Sequence, residues 1–219
     1  MSVVSSERRA HRAAKREARS GAGPTVTGIE PGANPGATAK FGLFGEVLTV
    51  GLLMTIVALG VVTLPIALAA GIRHLRRFVA AEDSRATLFW SDIRVGILPS
   101  LAVGVPVVLL AGVLAADVAL ASSGMLPGGG VIVVVGWAGS LALAVALLAA
   151  AGAWTPQSGW VAAVRAVPAI LRADAVGAAY LAAAAIFTGV VTWALAPLFI
   201  AGIGCAALAV VAVPARRRR

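Results

Sequence analysis

Charge is what this chain lacks over most of its length. From Phe41 to Ile72 only Glu46 is ionisable at neutral pH, and from Val95 to Val164 only Asp117. From Ala175 to Pro214 there is no charge at all, with Tyr180 and Cys205 taken as neutral. Charged residues make up 12% and hydrophobic residues 60%, against roughly 25% and 45–50% in a soluble domain. A water-soluble core cannot hide that much Ala, Val and Leu, because the surface would have to be apolar as well. A span of about 20 apolar residues crosses the hydrocarbon core of a bilayer, so these stretches hold several crossings and the soluble globular class is excluded.

Cysteine and histidine are nearly absent too. Cys205 stands alone, which leaves no intramolecular disulfide and no cysteine-based metal cluster. His11 and His74 are far apart and lack a ligand spacing such as H-E-x-x-H. No metal or other cofactor is expected. No G-x-x-x-x-G-K-[ST] occurs, and Gly128 to Gly130 reads as a flexible turn with no lysine after it. No pair of acids shares a helical face for acid–base work. Serines such as Ser100 and Ser140 have no histidine partner in view, since His74 belongs to a basic helix. The expectation is therefore that the chain is not an enzyme.

Eighteen Lys and Arg residues against nine Asp and Glu leave a net charge of +9. They cluster in tails and two loops instead of covering a folded face, so nucleic acid is not the expected partner. Beside membrane spans, such charge reads as positive-inside topology and attraction to the anionic headgroups of the bilayer. Residues 1–40 form a basic tail, with Arg8, Arg9, Arg12, Lys15, Arg16 and Arg19 followed by a Gly/Pro/Thr/Asn-rich run. That run has too few apolar residues to offset the entropy of folding, and the tail is expected to be disordered. It does not have the form of a secretory signal, because the apolar segment begins late and runs too long.

The fold expected over 41–214 is an all-α, polytopic transmembrane helical bundle of about five spans with two amphipathic cytoplasmic helices. The first span reads as Leu43 to Leu64, closed by Pro65. After it, Leu68, Ile72, Leu75 and Val79 share a face while Arg73, Arg76 and Arg77 project elsewhere, the pattern of a helix lying at the interface or continuing out of the first span. The second span runs about Gly96 to Ala121, entered through Phe89 and Trp90 as aromatic-belt anchors. The third covers about Val131 to Ala151. A second amphipathic stretch follows, with Trp160, Val164, Val167 and Leu171 on one face and Arg165 and Arg172 on another. The 40 residues from Ala175 to Pro214 would make a helix of about 60 Å, so they divide at Ala194–Pro197 into two spans. Residues 215–219 form a basic C-terminus.

Arginine placement sets the orientation: the C-terminus, 152–174 and 72–95 cytoplasmic, 122–130 outside. Five spans then place the N-terminal tail outside, with a re-entrant pair bent at Gly60 to Pro65 as the alternative that keeps it inside. Glu46 and Asp117 are expected near span ends toward the outer face, solvated there. Small residues recur at four-residue spacing (Gly112 with Ala116, Gly136 with Ser140 and Ala144, Gly202 with Ala206), which suits close helix packing.

Two segments carry a family resemblance. One is Gly60-Val-Val-Thr63-Leu-Pro65-Ile-Ala67-Leu-Ala69-Ala70, followed by Arg73 and then Leu88-Phe89-Trp90-Ser91-Asp92-Ile93-Arg94. The other runs from Trp154-Thr155-Pro156 through Val164-Arg165-Ala166 to Ala173. Over about 41–213 the chain resembles the YesL-like family of bacterial integral membrane proteins, a domain family of unknown function. The resemblance implies a plasma-membrane location and an accessory role beside carbohydrate ABC-transporter subunits. A small-solute permease is the alternative function. The residues singled out for docking or headgroup contact are Arg73, Arg76, Arg77, Phe89, Trp90, Arg94, Arg165 and Arg172, and the family-like motif is Gly60, Thr63 and Pro65.

Overall fold

In the computed structural model, residues 40–124 and 128–216 are described, and they form seven α-helices with no strand among them. The tail expected over 1–40 lies outside the described residues apart from the backbone of Lys40, as do Pro127 and the final arginines 217–219. The helices are α1 (Lys40–Ala58), α2 (Leu64–Val79), α3 (Ala86–Ser122), α4 (Gly129–Ala153), α5 (Gly159–Ala173), α6 (Ala175–Ala194) and α7 (Phe199–Arg216). Five of them, α1, α3, α4, α6 and α7, are long and apolar enough to cross a membrane. The chain is an all-α, multi-pass membrane bundle.

Neighbouring glycines reveal how the helices run. A side-chain carbon on Gly71 of α2 would meet Val50 and Met54 of α1, and Glu46 meets His74, so α2 folds back along α1. On α3, Asp92 pairs with Arg73 while Gly104 abuts the Val62 carbonyl, so α3 reverses again. Gly129 approaches the Ala121 carbonyl and Gly136 meets Val118, making α4 antiparallel to α3. Gly177 faces Val213 and Gly202 faces Thr188, which pairs α6 with α7, and Gly51 against Ile200 with Gly204 against Val47 pairs α7 with α1.

Two features differ from the sequence expectation. The first span ends at Ala58, not Leu64. A tight turn follows in which Val61 takes a left-handed conformation (φ 52°) and the Thr63 hydroxyl donates to the Val57 carbonyl. Pro65 then opens α2 instead of closing α1, because a proline in the first helical turn forfeits no hydrogen bond. Gly60, Thr63 and Pro65 thus build the bend of a helical hairpin.

The second difference is α2 itself. It does not lie at an interface. Pro65 to Ile72 are all buried, and α1, α3, α4 and α7 all contact it. Its first two turns, Leu-Pro-Ile-Ala-Leu-Ala-Ala-Gly, are apolar on every side, and a helix hydrophobic all round belongs in a core. Small residues let its neighbours approach closely. Only the last turns carry arginine, and they emerge at one end of the bundle.

That return has a consequence for the ends. The first turn of α1 and the last turn of α7 sit at the same end of the bundle as Arg73, Arg76 and Arg77. Glu46 therefore lies at the arginine-bearing end, not at the opposite one, and α1 with α2 takes the form of the bent pair. Asp117 does stand toward the other end, exposed on the far half of α3. The division of 175–214 falls where Pro197 places it: α6 stops at Ala194, and a single 3₁₀ turn, Ala196–Leu198, leads into α7.

Candidate functional site

Apart from Asp117, the charged side chains of the described bundle gather at one end. On α2, Arg73, Arg76 and Arg77 occupy positions i, i+3 and i+4, hence one flank. Opposite them α3 presents a stripe of buried residues, Phe89, Asp92, Ile93, Gly96, Ser100 and Gly104, at helical spacing. Asp92 is the only acid in that stripe. Its Oδ2 accepts from Arg73 Nε at 3.2 Å and pairs with an Arg77 terminal nitrogen at 3.0 Å, with 7% of the side chain exposed. A buried carboxylate is tolerated when it is paired in this way.

A second polar contact joins α1 to α2. His74 Nε2 lies 2.6 Å from Glu46 Oε1, and the His74 side chain is 4% exposed. His74 Nδ1 is buried without a partner. A third layer caps these pairs: Trp154 lies beneath the Arg73 guanidinium, 5.7 Å from ring centroid to Cζ, and stacks on Trp160 at 5.7 Å. Arg over indole is a favourable cation–π placement. Gly96 makes room for this layer, since a Cβ there would strike Ile66 and come within 2.8 Å of Trp154.

At the edge of the same end, Asp174 caps α6 by accepting from the Gly177 N–H at 2.8 Å and pairs with Arg216 at 3.0 Å. The Arg216 guanidinium also sits 5.0 Å over the Tyr180 ring. In the α2–α3 loop, hydrogen bonds from Arg85 hold the Asp83 carboxyl below the usual carboxylate range.

The residues singled out from sequence divide into two groups. Arg73 and Arg77 are drawn inward onto Asp92. Phe89, expected as a belt anchor, is fully buried and meets Trp90 edge-on at 5.5 Å. It lies on the inward stripe of α3, while Trp90, one residue on, turns outward. Trp90, Arg94, Arg165 and Arg172 are exposed, and Arg76 is partly so. On α5, Trp160 and Val167 are buried as the amphipathic pattern requires, but Val164 is exposed.

Sequence reasoning missed the Glu46–His74 and Asp92–arginine pairs. Nothing local links Glu46 to His74, 28 positions apart. The α3 stripe, by contrast, is legible: extending the second span back to Ala86 would have placed Asp92 on the inward face. Ser100 and Ser140 spend their hydroxyls on the Ile97 and Gly136 carbonyls of their own helices.

Away from the charges, α4 and α6 part to leave an apolar groove of about 680 Å³. Trp137, Ser140 and Ala144 line one side, and Ala185, Gly189 and Trp193 the other. Its one hydroxyl is already bonded within α4, so the groove presents no free polar group from a serine.

These features define a class: a multi-pass helical membrane protein with a paired ionic layer at one end. No protein-family model matches the chain, and comparison with curated proteins and with solved structures finds no match.

Proposed function

We propose that the chain is a non-enzymatic accessory or scaffold protein of a bacterial plasma membrane, with its arginine-bearing end in the cytoplasm, serving carbohydrate ABC-transporter subunits. One observation carries the reading. Three acids of the charged end join helices, Glu46 to His74, Asp92 to Arg73 and Arg77, and Asp174 to Arg216, while Arg94, Arg165, Arg172 and Trp90 stay exposed at that end. A committed ionic layer holds helices together; exposed arginines with an indole are what a docking or headgroup-contacting surface uses.

Orientation rests on the positive-inside rule. The first turn of α1, the α2–α3 loop, α5 and the last turn of α7 with Arg216 lie at the arginine-bearing end, and the rule assigns that end to the cytoplasm. The carbohydrate-transporter partner rests on the YesL-like resemblance. Co-purification from native membranes in mild detergent tests it: transporter subunits should accompany the chain, and deletion should lower sugar uptake. Absence of both results defeats the proposal.

A permease is the second reading. It is favoured by the Glu46–His74 pair, since ionisable residues within a membrane bundle are functional candidates by default. Solute or ion flux in proteoliposomes that is lost on Glu46→Gln would favour it over the accessory role.

A further inference from the structure

Helix α3 has an outward stripe as well as its buried one. Trp90, Arg94, Leu98, Val105 and Leu109 are all exposed, at steps of three, four and seven that keep them on one side of a helix. Beyond Arg94 this stripe is apolar, beginning with Leu98 at 76% exposed. Because α3 is long and apolar enough to cross a membrane, the medium beside that part of it is hydrocarbon.

Trp90 and Arg94 close the stripe at its basic end. Four residues apart, they are neighbours on the helix surface. Arg94 lies between Asp92 and Gly96, which on the inner face meet Arg73 and Trp154, so it stands at the depth of the ionic layer. Unlike Arg73 and Arg77, it makes no ion pair, hydrogen bond or ring contact among the described residues. The Trp90 indole N–H donates to no described residue either, and edge-on contact with the buried Phe89 at 5.5 Å braces the ring. No acid shares this side of α3. Asp92 is spent on the opposite face, and Asp117 is about six turns away.

We propose that Trp90 and Arg94 bind an anionic phospholipid of the leaflet at the arginine-bearing end. The Arg94 guanidinium takes the phosphodiester, whose paired oxygens match its fork of donors. The indole sits at headgroup level, the usual depth of an interfacial tryptophan, and the acyl chains run along Leu98 and Val105. With no acid on this side, a zwitterionic lipid finds no partner for its ammonium group, so an anionic lipid is preferred. The apolar part of the stripe decides the source: a free phosphate would use Arg94 alone, and a soluble protein cannot follow the face past Leu98 into hydrocarbon. The inference rests on the reading of this end as a docking or headgroup-contacting surface and names the occupant of one part of it.

The test uses the full chain, purified and delipidated in a non-ionic detergent, so its failure and a failure of transporter co-purification are separate results. Phosphatidylglycerol, phosphatidylcholine and inorganic phosphate are titrated separately, and native mass spectrometry follows the bound adducts. Phosphatidylglycerol should remain bound as a discrete adduct at concentrations where phosphatidylcholine and inorganic phosphate do not. Arg94→Gln should weaken that binding about fivefold, one arginine's share of headgroup attraction, and Trp90→Leu should weaken it by less. Arg172→Gln, exposed on α5, should leave it unchanged. Arg94→Met, neutral and of similar length, serves if the glutamine variant does not fold. An equal loss with Arg172→Gln would assign the binding to diffuse charge and overturn the site. So would equal retention of phosphatidylcholine, inorganic phosphate binding that depends on Arg94, or undiminished phosphatidylglycerol binding by either folded variant.

Discussion

Replacing Asp92 by asparagine should strip the charge from the joint between α2 and α3 while keeping its shape. Asp92 is 7% exposed, and its partners Arg73 and Arg77 are 21% and 17% exposed, so the pair is screened little by solvent. Removing one partner of a buried ion pair costs about 3–5 kcal/mol, because the remaining charge is left unmatched. The partial exposure of the arginines and the cation–π contact of Arg73 with Trp154 place the expected loss near the lower bound, about 3 kcal/mol. For a chain of this size that is a fall in Tm of about 6–12 °C. The assay is thermal unfolding in detergent followed by tryptophan emission, with Trp154 as a reporter next to the joint. A companion variant sharpens it. Arg73→Met, Arg77→Met and Asp92→Leu together should recover most of the loss, since an apolar replacement of a whole buried network is often neutral. A single Asp92→Asn variant melting within about 2 °C of the native chain would refute the reasoning, and α2 would then be held by apolar packing alone.

Other outcomes follow from the same geometry. Gly104→Ala should destabilise by about 1–3 kcal/mol through overpacking, because its methyl would run into the Val62 carbonyl, whereas Gly112→Ala, with nothing within 4 Å, should be neutral or slightly stabilising; denaturation in detergent separates them. Asp174→Ala removes both the α6 cap and the Arg216 pair and should cost about 1–2 kcal/mol, read as a lower Tm. In a Cys205→Ala background, an impermeant maleimide on intact cells should label Ser123→Cys and spare Ser84→Cys and Ser158→Cys. Ser5→Cys should also be spared, since α1 begins at the arginine end; labelling at 5 with protection at 84 would contradict the hairpin.

The small-residue stripes show where pattern stops and packing begins. Gly136 and Gly202 do serve helix contacts, against Val118 and Thr188, but Gly112, equally regular in sequence, touches nothing. Glycines pressed against another segment's backbone, such as Gly51, Gly104 and Gly204, stood out in no spacing. Gly51 and Gly204 face a backbone carbonyl of another helix and Gly104 that of Val62 in the α1–α2 turn, and that partner is unknown until the helices are docked. The break at Pro197 was legible because proline acts on its own helix. The role of Pro65 was not, since a proline ends one helix or begins the next with equal ease.

Sequence alone determined the all-α membrane class, the apolar helices long enough to cross and the segregation of arginine to loops and ends, because hydrocarbon demands apolar length and self-satisfied backbone whatever the neighbours are. Tertiary structure alone decided that α2 is the centre of the bundle, that α1 and α7 end on one side, and that Glu46 meets His74 while Asp92 meets Arg73 and Arg77. Those facts depend on which way the chain turns at Gly60 to Thr63. A turn is a choice between packed arrangements of whole helices, and its energy resides in contacts between residues far apart in sequence.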